Sequence, residues 1–93
     1  MKVEKFEPKE TYVSDLKKLK HDVRRAVIEA LENLKQDPQP AKLRLHVVSK
    51  RPGPVVFSID VFPNKSWKIS FEMDGTTAVL RHVGTHKEID RAP

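Results

Sequence analysis

The chain has 93 residues, enough for one hydrophobic core and too few for two, so we expect a single domain over residues 1–93. It contains no cysteine, which excludes disulfides, zinc–thiolate sites and thiol catalysis together. The formal net charge of +5 favours a polyanionic partner such as RNA, or serves solubility alone. No apolar run reaches the length of a membrane span and no leader opens the chain, so we predict a cytoplasmic protein without a membrane partner.

Two amphipathic helices are predicted in the first part of the chain. A short helix begins at Pro8, and its inward stripe consists of Val13, Leu16 and Leu19. A longer helix covers residues 23–34, where apolar side chains recur at the helical spacing. The Asp-Pro-Gln-Pro sequence after it cannot continue a helix and ends the pattern.

The second part of the chain alternates apolar and polar residues, which predicts strands. The alternating segments are residues 43–47, 57–61, 67–73 and 80–83, and a weaker alternation over residues 1–6 is compatible with an edge strand. Asp74-Gly75 has the composition of a tight hairpin turn. We therefore expect an α+β fold, with two N-terminal helices packed on one face of a small, mostly antiparallel, four-stranded sheet. The other face should be partly open and show Ser58, Asp60, Lys68, Ser70 and Glu72.

The last strand brings three chemically useful side chains to one end of the sheet: Arg81, His82 and His86. A permanent cation beside groups that exchange protons near neutral pH suits work on a phosphodiester. Alternation along the strand sends Arg81 and His82 to opposite faces unless a bulge intervenes, so for His82 we favour a core or partner-contact role. The four histidines form no compact ligand set, so no metal site is predicted.

The order of elements and the Gly-Thr-His ending resemble the RelE/ParE superfamily of type II toxin–antitoxin toxins. The matching segments are residues 16–19, 31–38, 57–61, 67–72 and 80–89. The resemblance to the RelE-like branch implies a ribosome-dependent endoribonuclease that cleaves messenger RNA without a cofactor. The 2′-hydroxyl would attack the adjacent phosphate, leaving a 2′,3′-cyclic phosphate and a 5′-hydroxyl.

The same resemblance implies the residues of the site and the partners. His86 would be the catalytic acid or base, with Arg81 and Lys68 as cations over the phosphate. The residues expected to hold the RNA backbone are Lys50, Arg51 and Lys87. The implied partners are the ribosome, messenger RNA and a cognate antitoxin that covers the site in a hetero-oligomer.

Two other functions remain open at this point. A ParE-like toxin would share the fold and inhibit DNA gyrase, but that activity requires no imidazole at the Gly-Thr-His tip. A non-catalytic module that only binds a partner is the second alternative. The chain favours it by carrying Ser58 and Asp60 where some relatives have lysines, and by lacking the tyrosine that others have after the tip.

Overall fold

The computed structural model describes residues 1–49 and 52–93, and its regular elements follow the order β-α-α-β-β-β-β-α. The strands are β1 (Lys5–Pro8), β2 (His46–Ser49), β3 (Val56–Asp60), β4 (Trp67–Asp74) and β5 (Thr77–Thr85). The α-helices are α1 (Glu10–Lys17), α2 (His21–Leu34) and α3 (His86–Arg91), and a 3-10 turn covers Ala41–Leu43. Within the described ranges, no helix is long and apolar enough to cross a membrane.

The strands form one mixed sheet in the order β1-β5-β4-β3-β2. The predicted α+β class is confirmed, but the sheet has five strands where we expected four. The additional strand is β1, which lies at the edge and pairs with β5 in parallel, Phe6 opposite Ala78. The other three pairings are antiparallel. The turn between β4 and β5 is at the predicted place, and Gly75 has the positive φ of 61° that such a turn needs.

The main hydrophobic core lies between the helices and one face of the sheet. Alternation places Ile59, Ile69 and Phe71 on this face, and all three are fully buried. The rings of Phe57 and Phe71 stack across β3 and β4 with centroids 5.5 Å apart. The core is completed from the helical side by Tyr12, Leu19, Val27, Ala30 and Leu34.

One inward position in the first helix was assigned wrongly. α1 begins at Glu10, because Pro8 is the last residue of β1 and Lys9 occupies the N-cap position. The helix turns Tyr12 into the core and leaves Val13 exposed. Burial of the large aromatic ring removes more apolar surface from water than burial of valine would, which favours this rotation of the helix.

The second face of the sheet is not open, contrary to our expectation. Ser58, Asp60, Lys68 and Ser70 are all buried on it, and Glu72 is half-buried. Part of this face is covered by α3, which the alternation of the last strand did not predict. This helix packs against β4 and β5 and buries Ile89. After it, the carbonyl oxygen of Pro93 accepts a 2.9 Å hydrogen bond from the Ser70 hydroxyl.

Candidate active site

The Gly-Thr-His tip lies where β5 ends and α3 begins. Thr85 is the N-cap of α3, and its hydroxyl oxygen accepts a 3.3 Å hydrogen bond from the Glu88 amide. Oε1 of Glu88 accepts in return from the amide and the hydroxyl of Thr85, both at 2.9 Å. The hydrogen bonds from the Thr85 backbone and side chain hold the pKa of Glu88 below its usual range. This reciprocal cap fixes the start of the helix, and therefore fixes the backbone of His86.

Gly84 allows the cap to form because it leaves space for Glu88. A Cβ atom on Gly84 would lie 3.1 Å from Oε1 and 3.3 Å from Cβ of Glu88. Both distances are shorter than most contacts of a Cβ atom, so the Glu88 side chain would have to shift by a few tenths of an ångström and its hydrogen bonds to Thr85 would lengthen. The glycine of the tip is therefore explained by close packing.

His86 is the exposed member of the expected catalytic set. Its side chain is 49% exposed, and its Nε2 atom lies 2.7 Å from Oδ2 of Asp90, one turn later in α3. The His86 amide donates a 3.0 Å hydrogen bond to the Ser66 carbonyl oxygen before β4. The tip thus presents an imidazole on a fixed backbone, with a carboxylate against one of its two nitrogens.

Arg81 lies on a β-bulge. Ser70 pairs with His82 and Phe71 pairs with Leu80, so Arg81 is the extra residue of β5. Its Nη1 forms a short ion pair with Glu72, and its Nε donates a 3.1 Å hydrogen bond to the carbonyl oxygen of Pro93. Lys9 approaches the same carboxylate at 3.4 Å. Arg81 therefore faces Glu72 and the segment that follows α3.

Two opposing effects act on the pKa of Glu72 at this bulge. Burial raises the pKa of Glu72, but the hydrogen bond from Arg81 and the charges of Lys9 and Arg81 outweigh it. The net result is a pKa below the usual range. Arg81 is thus held by an ionised carboxylate.

Lys68, which we expected over a phosphate, does not face solvent in this structure. Its side chain is 4% exposed, and Nζ lies 3.7 Å from Oδ1 of Asp60. Asp60 is opposite Lys68 in the register of β3 and β4 and lies 3.6 Å from Nη1 of Arg44. Alternation placed Lys68 correctly on the face away from the core, but that face is covered.

His82 is half-buried and connects α1 to β5. Its Nδ1 lies at 2.9 Å hydrogen-bonding distance from Oδ2 of Asp15, which also accepts from the Val83 amide at 3.3 Å. The end of α1 is therefore fixed beside the part of β5 that leads into the tip. Lys17 and Lys18 lie two and three residues after Asp15 and are exposed.

The structure brings together only part of the expected site. His86 and Lys87 are both exposed at the start of α3. The predicted RNA contacts Lys50 and Arg51 lie outside the described residues. Asp90 was missed as a partner of His86, although the i, i+4 spacing would have revealed it once a helix was expected there. That helix had a signal of its own, the Thr-x-x-Glu pattern of a capping box over residues 85–88.

Comparison with known proteins defines the class of this fold. No protein-family model matches the chain. No curated protein matches it either. Solved structures do match, and several of them are complexes of RelE toxins with RelB antitoxins.

Three matches give the extent of the similarity. A chain of the RelB–RelE antitoxin–toxin complex from Methanococcus jannaschii is 25% identical, with a TM-score of 0.61 over 94% of this chain and 99% of that one. A chain of the archaeal RelE–RelB complex from Pyrococcus horikoshii OT3 is 11% identical, with a TM-score of 0.68 over 91% of this chain and 96% of that one. A chain of the intact RelBE toxin–antitoxin complex from E. coli is 14% identical, with a TM-score of 0.64 over 87% of this chain and 94% of that one. This protein therefore has the RelE-type toxin fold, and the resemblance seen in its sequence is confirmed at the level of the fold.

Proposed function

We propose that this protein is the toxin of a toxin–antitoxin pair and that it cleaves messenger RNA on the ribosome. The observation that carries the proposal is His86, an exposed imidazole on a fixed backbone at the Gly-Thr-His tip of a RelE-type fold. The matched complexes pair toxins of this fold with antitoxins. A cognate antitoxin is accordingly the proposed protein partner, and the complex is a hetero-oligomer.

The proposed reaction is an internal transfer at phosphorus. The 2′-oxygen of one nucleotide attacks the adjacent phosphate, the bond from phosphorus to the 5′-oxygen breaks, and a 2′,3′-cyclic phosphate forms. One proton leaves the 2′-hydroxyl and one is delivered to the departing 5′-oxygen, so a single imidazole can serve either transfer. No electron donor or acceptor enters this balance.

The charges around the tip are compatible with an RNA backbone. Lys87 is exposed beside His86, and Lys17 and Lys18 are exposed where α1 ends beside β5. The nearby Glu88 is engaged in the cap, so its charge is committed to Thr85. Arg81 can join these cations only by exchanging Glu72 and the Pro93 carbonyl for a phosphate, whose geometry suits a guanidinium.

Primer extension on messenger RNA bound to programmed ribosomes tests the proposal. The purified chain should produce cuts at the A-site codon, and His86→Ala should reduce their rate by about a hundredfold or more. The matched control is His21→Ala, which removes another exposed imidazole from the start of α2. Cuts that persist in His86→Ala would move the acid or base to another residue.

A partner-binding module without catalysis is the second candidate. It is favoured by the burial of Lys68 and by the intramolecular contacts of Arg81, which leave His86 with few exposed helpers. A folded chain that binds ribosomes or an antitoxin but produces no cuts would support this candidate. Loss of supercoiling in a gyrase assay, with messenger RNA intact, would instead support the ParE-like activity.

A further inference from the structure

We propose that Ser70 and Arg81 are positioning residues that hold the carbonyl oxygen of Pro93, and that this Pro93 clamp keeps α3 and its His86 docked on the sheet. The inference rests on the function proposed above and concerns the same site. Both side chains donate to the one oxygen, Oγ of Ser70 at 2.9 Å and Nε of Arg81 at 3.1 Å. Arg81 thereby has a task other than contact with a phosphate.

The helix that carries His86 is too short to stand without anchors. It has six residues, whereas an isolated helix needs roughly 12–15 residues to be even marginally stable in water. Its start is held by the reciprocal cap of Thr85 and Glu88, and Ile89 in its middle is buried. The Pro93 clamp supplies the anchor beyond its end, and a helix this short depends on each of the three.

The sheet fixes both donors of the clamp. Ser70 is fully buried in β4, so its hydroxyl is held in place and cannot reach RNA. Arg81 is the extra residue of the β5 bulge. Glu72 binds Nη1 of Arg81 and so orients the guanidinium, whose Nε then donates to Pro93. The bulge therefore brings a second donor to the oxygen that Ser70 already binds.

A short series of hydrogen bonds links the clamp to His86. The residue before Pro93 is Ala92, and its amide donates a 3.0 Å hydrogen bond to the Glu88 carbonyl oxygen. The Glu88 side chain accepts in turn from Thr85, the residue before His86. Because helix formation is cooperative, release of Pro93 frays the last turn and weakens the cap that fixes His86.

Amide hydrogen exchange in the intact chain tests the clamp directly. Ser70→Ala removes one of its two hydrogen bonds, so the amides of residues 90–92 should exchange about fivefold faster than in the wild type. The matched control is Ser58→Ala, the same substitution at the residue opposite Ser70 in the register of β3 and β4. Ser58 is equally buried, and its hydroxyl has no hydrogen-bond partner among the described residues, so exchange in α3 should stay unchanged.

Single-turnover cleavage on programmed ribosomes tests the link from the clamp to the reaction. Ser70→Ala should lower the maximal rate by about the same factor and leave half-saturation unchanged, because a fully buried serine makes no contact with RNA. Arg81→Gln should likewise give faster exchange in α3 together with slower cleavage. Slower cleavage with unchanged exchange would instead make Arg81 a direct contact of the phosphate and overturn the inference.

Three further results would contradict the clamp. They are wild-type exchange of α3 in Ser70→Ala, equal acceleration of exchange in Ser58→Ala, and an unchanged cleavage rate despite faster exchange. Absence of cleavage by the wild-type chain, with the expected exchange differences present, would refute the proposed nuclease while confirming that the clamp holds α3. The two proposals can therefore fail separately.

Discussion

Lys68 and Asp60 form a buried ion pair across β3 and β4, with Nζ and Oδ1 3.7 Å apart and less than 5% of either side chain exposed. Among the described residues Oδ1 has no hydrogen-bond partner, and the nearby ammonium group compensates for its burial. Lys68→Met should therefore lower the free energy of unfolding by about 3 kcal/mol, because it leaves a buried carboxylate with less compensation. Urea unfolding followed by circular dichroism would measure this.

The matched control for that prediction is the double variant Asp60→Asn with Lys68→Met. Because neither charge remains, the double variant should be more stable than Lys68→Met alone. Equal stability of the two variants would show that the pair contributes through packing and not through charge.

Glu72 should make stability depend on pH in the acid range. Its pKa is lower in the folded chain than in the unfolded chain, so its contribution is present above its ordinary value of 4.5 and is lost as pH falls through the folded value. At neutral pH, Glu72→Gln should be less stable than the wild type by about 1 kcal/mol. The difference should shrink on acidification, as thermal unfolding at a series of pH values would show.

The close approach of Gly84 and Glu88 predicts a specific coupling between them. Gly84→Ala should cost about 1 kcal/mol, because its Cβ forces the Glu88 side chain to shift and weakens the cap that Glu88 forms with Thr85. In a Glu88→Ala background the same substitution should cost less, because the 3.1 Å contact with Oε1 is absent and only the 3.3 Å contact with the Cβ atom remains. A full cost in both backgrounds, measured by chemical denaturation, would rule out this account of the glycine.

The buried phenol of Tyr12 should make the folded state less stable at alkaline pH. Burial raises the pKa of Tyr12 to about 12 from a usual value of 10.0, so the folded chain holds the phenolic proton more tightly than the unfolded chain does. Stability should then fall as pH rises from 10 towards 12, since the unfolded state loses that proton first. Tyr12→Phe should make this decline less steep, and urea midpoints between pH 9 and 12 would reveal it.

Much of this fold could be predicted because its strongest signals are local. The alternation in β4 correctly separated Ile69 and Phe71 from Lys68, since successive side chains of a strand point to opposite faces. The Asp74-Gly75 turn was also readable, because its backbone geometry restricts composition. The edge strand β1 was harder to predict, because a strand of four residues is too short to show a clear alternation of apolar and polar side chains.

The features that the sequence did not predict depend on contacts between distant segments of the chain. Alternation says that Lys68 points away from the core, but not whether α3 will cover it. A helix of six residues is too short to show a hydrophobic period, so His86 was placed at a strand exit and Asp90 received no role. The bulge at Arg81 is likewise a property of strand pairing, and only the register shows that Glu72 and Pro93 hold its guanidinium.

The parallel pairing of β1 with β5 joins segments from opposite ends of the chain, Lys5 opposite Thr77. During synthesis, β1 must wait beside the completed helices until β5 has left the ribosomal tunnel, because β5 is the strand that pairs with it in the described part of the chain. Such distant contacts form late and slow the final step of folding. The tip that carries His86 follows β5 directly, so a chain synthesised only as far as β4 lacks both the finished sheet and this imidazole.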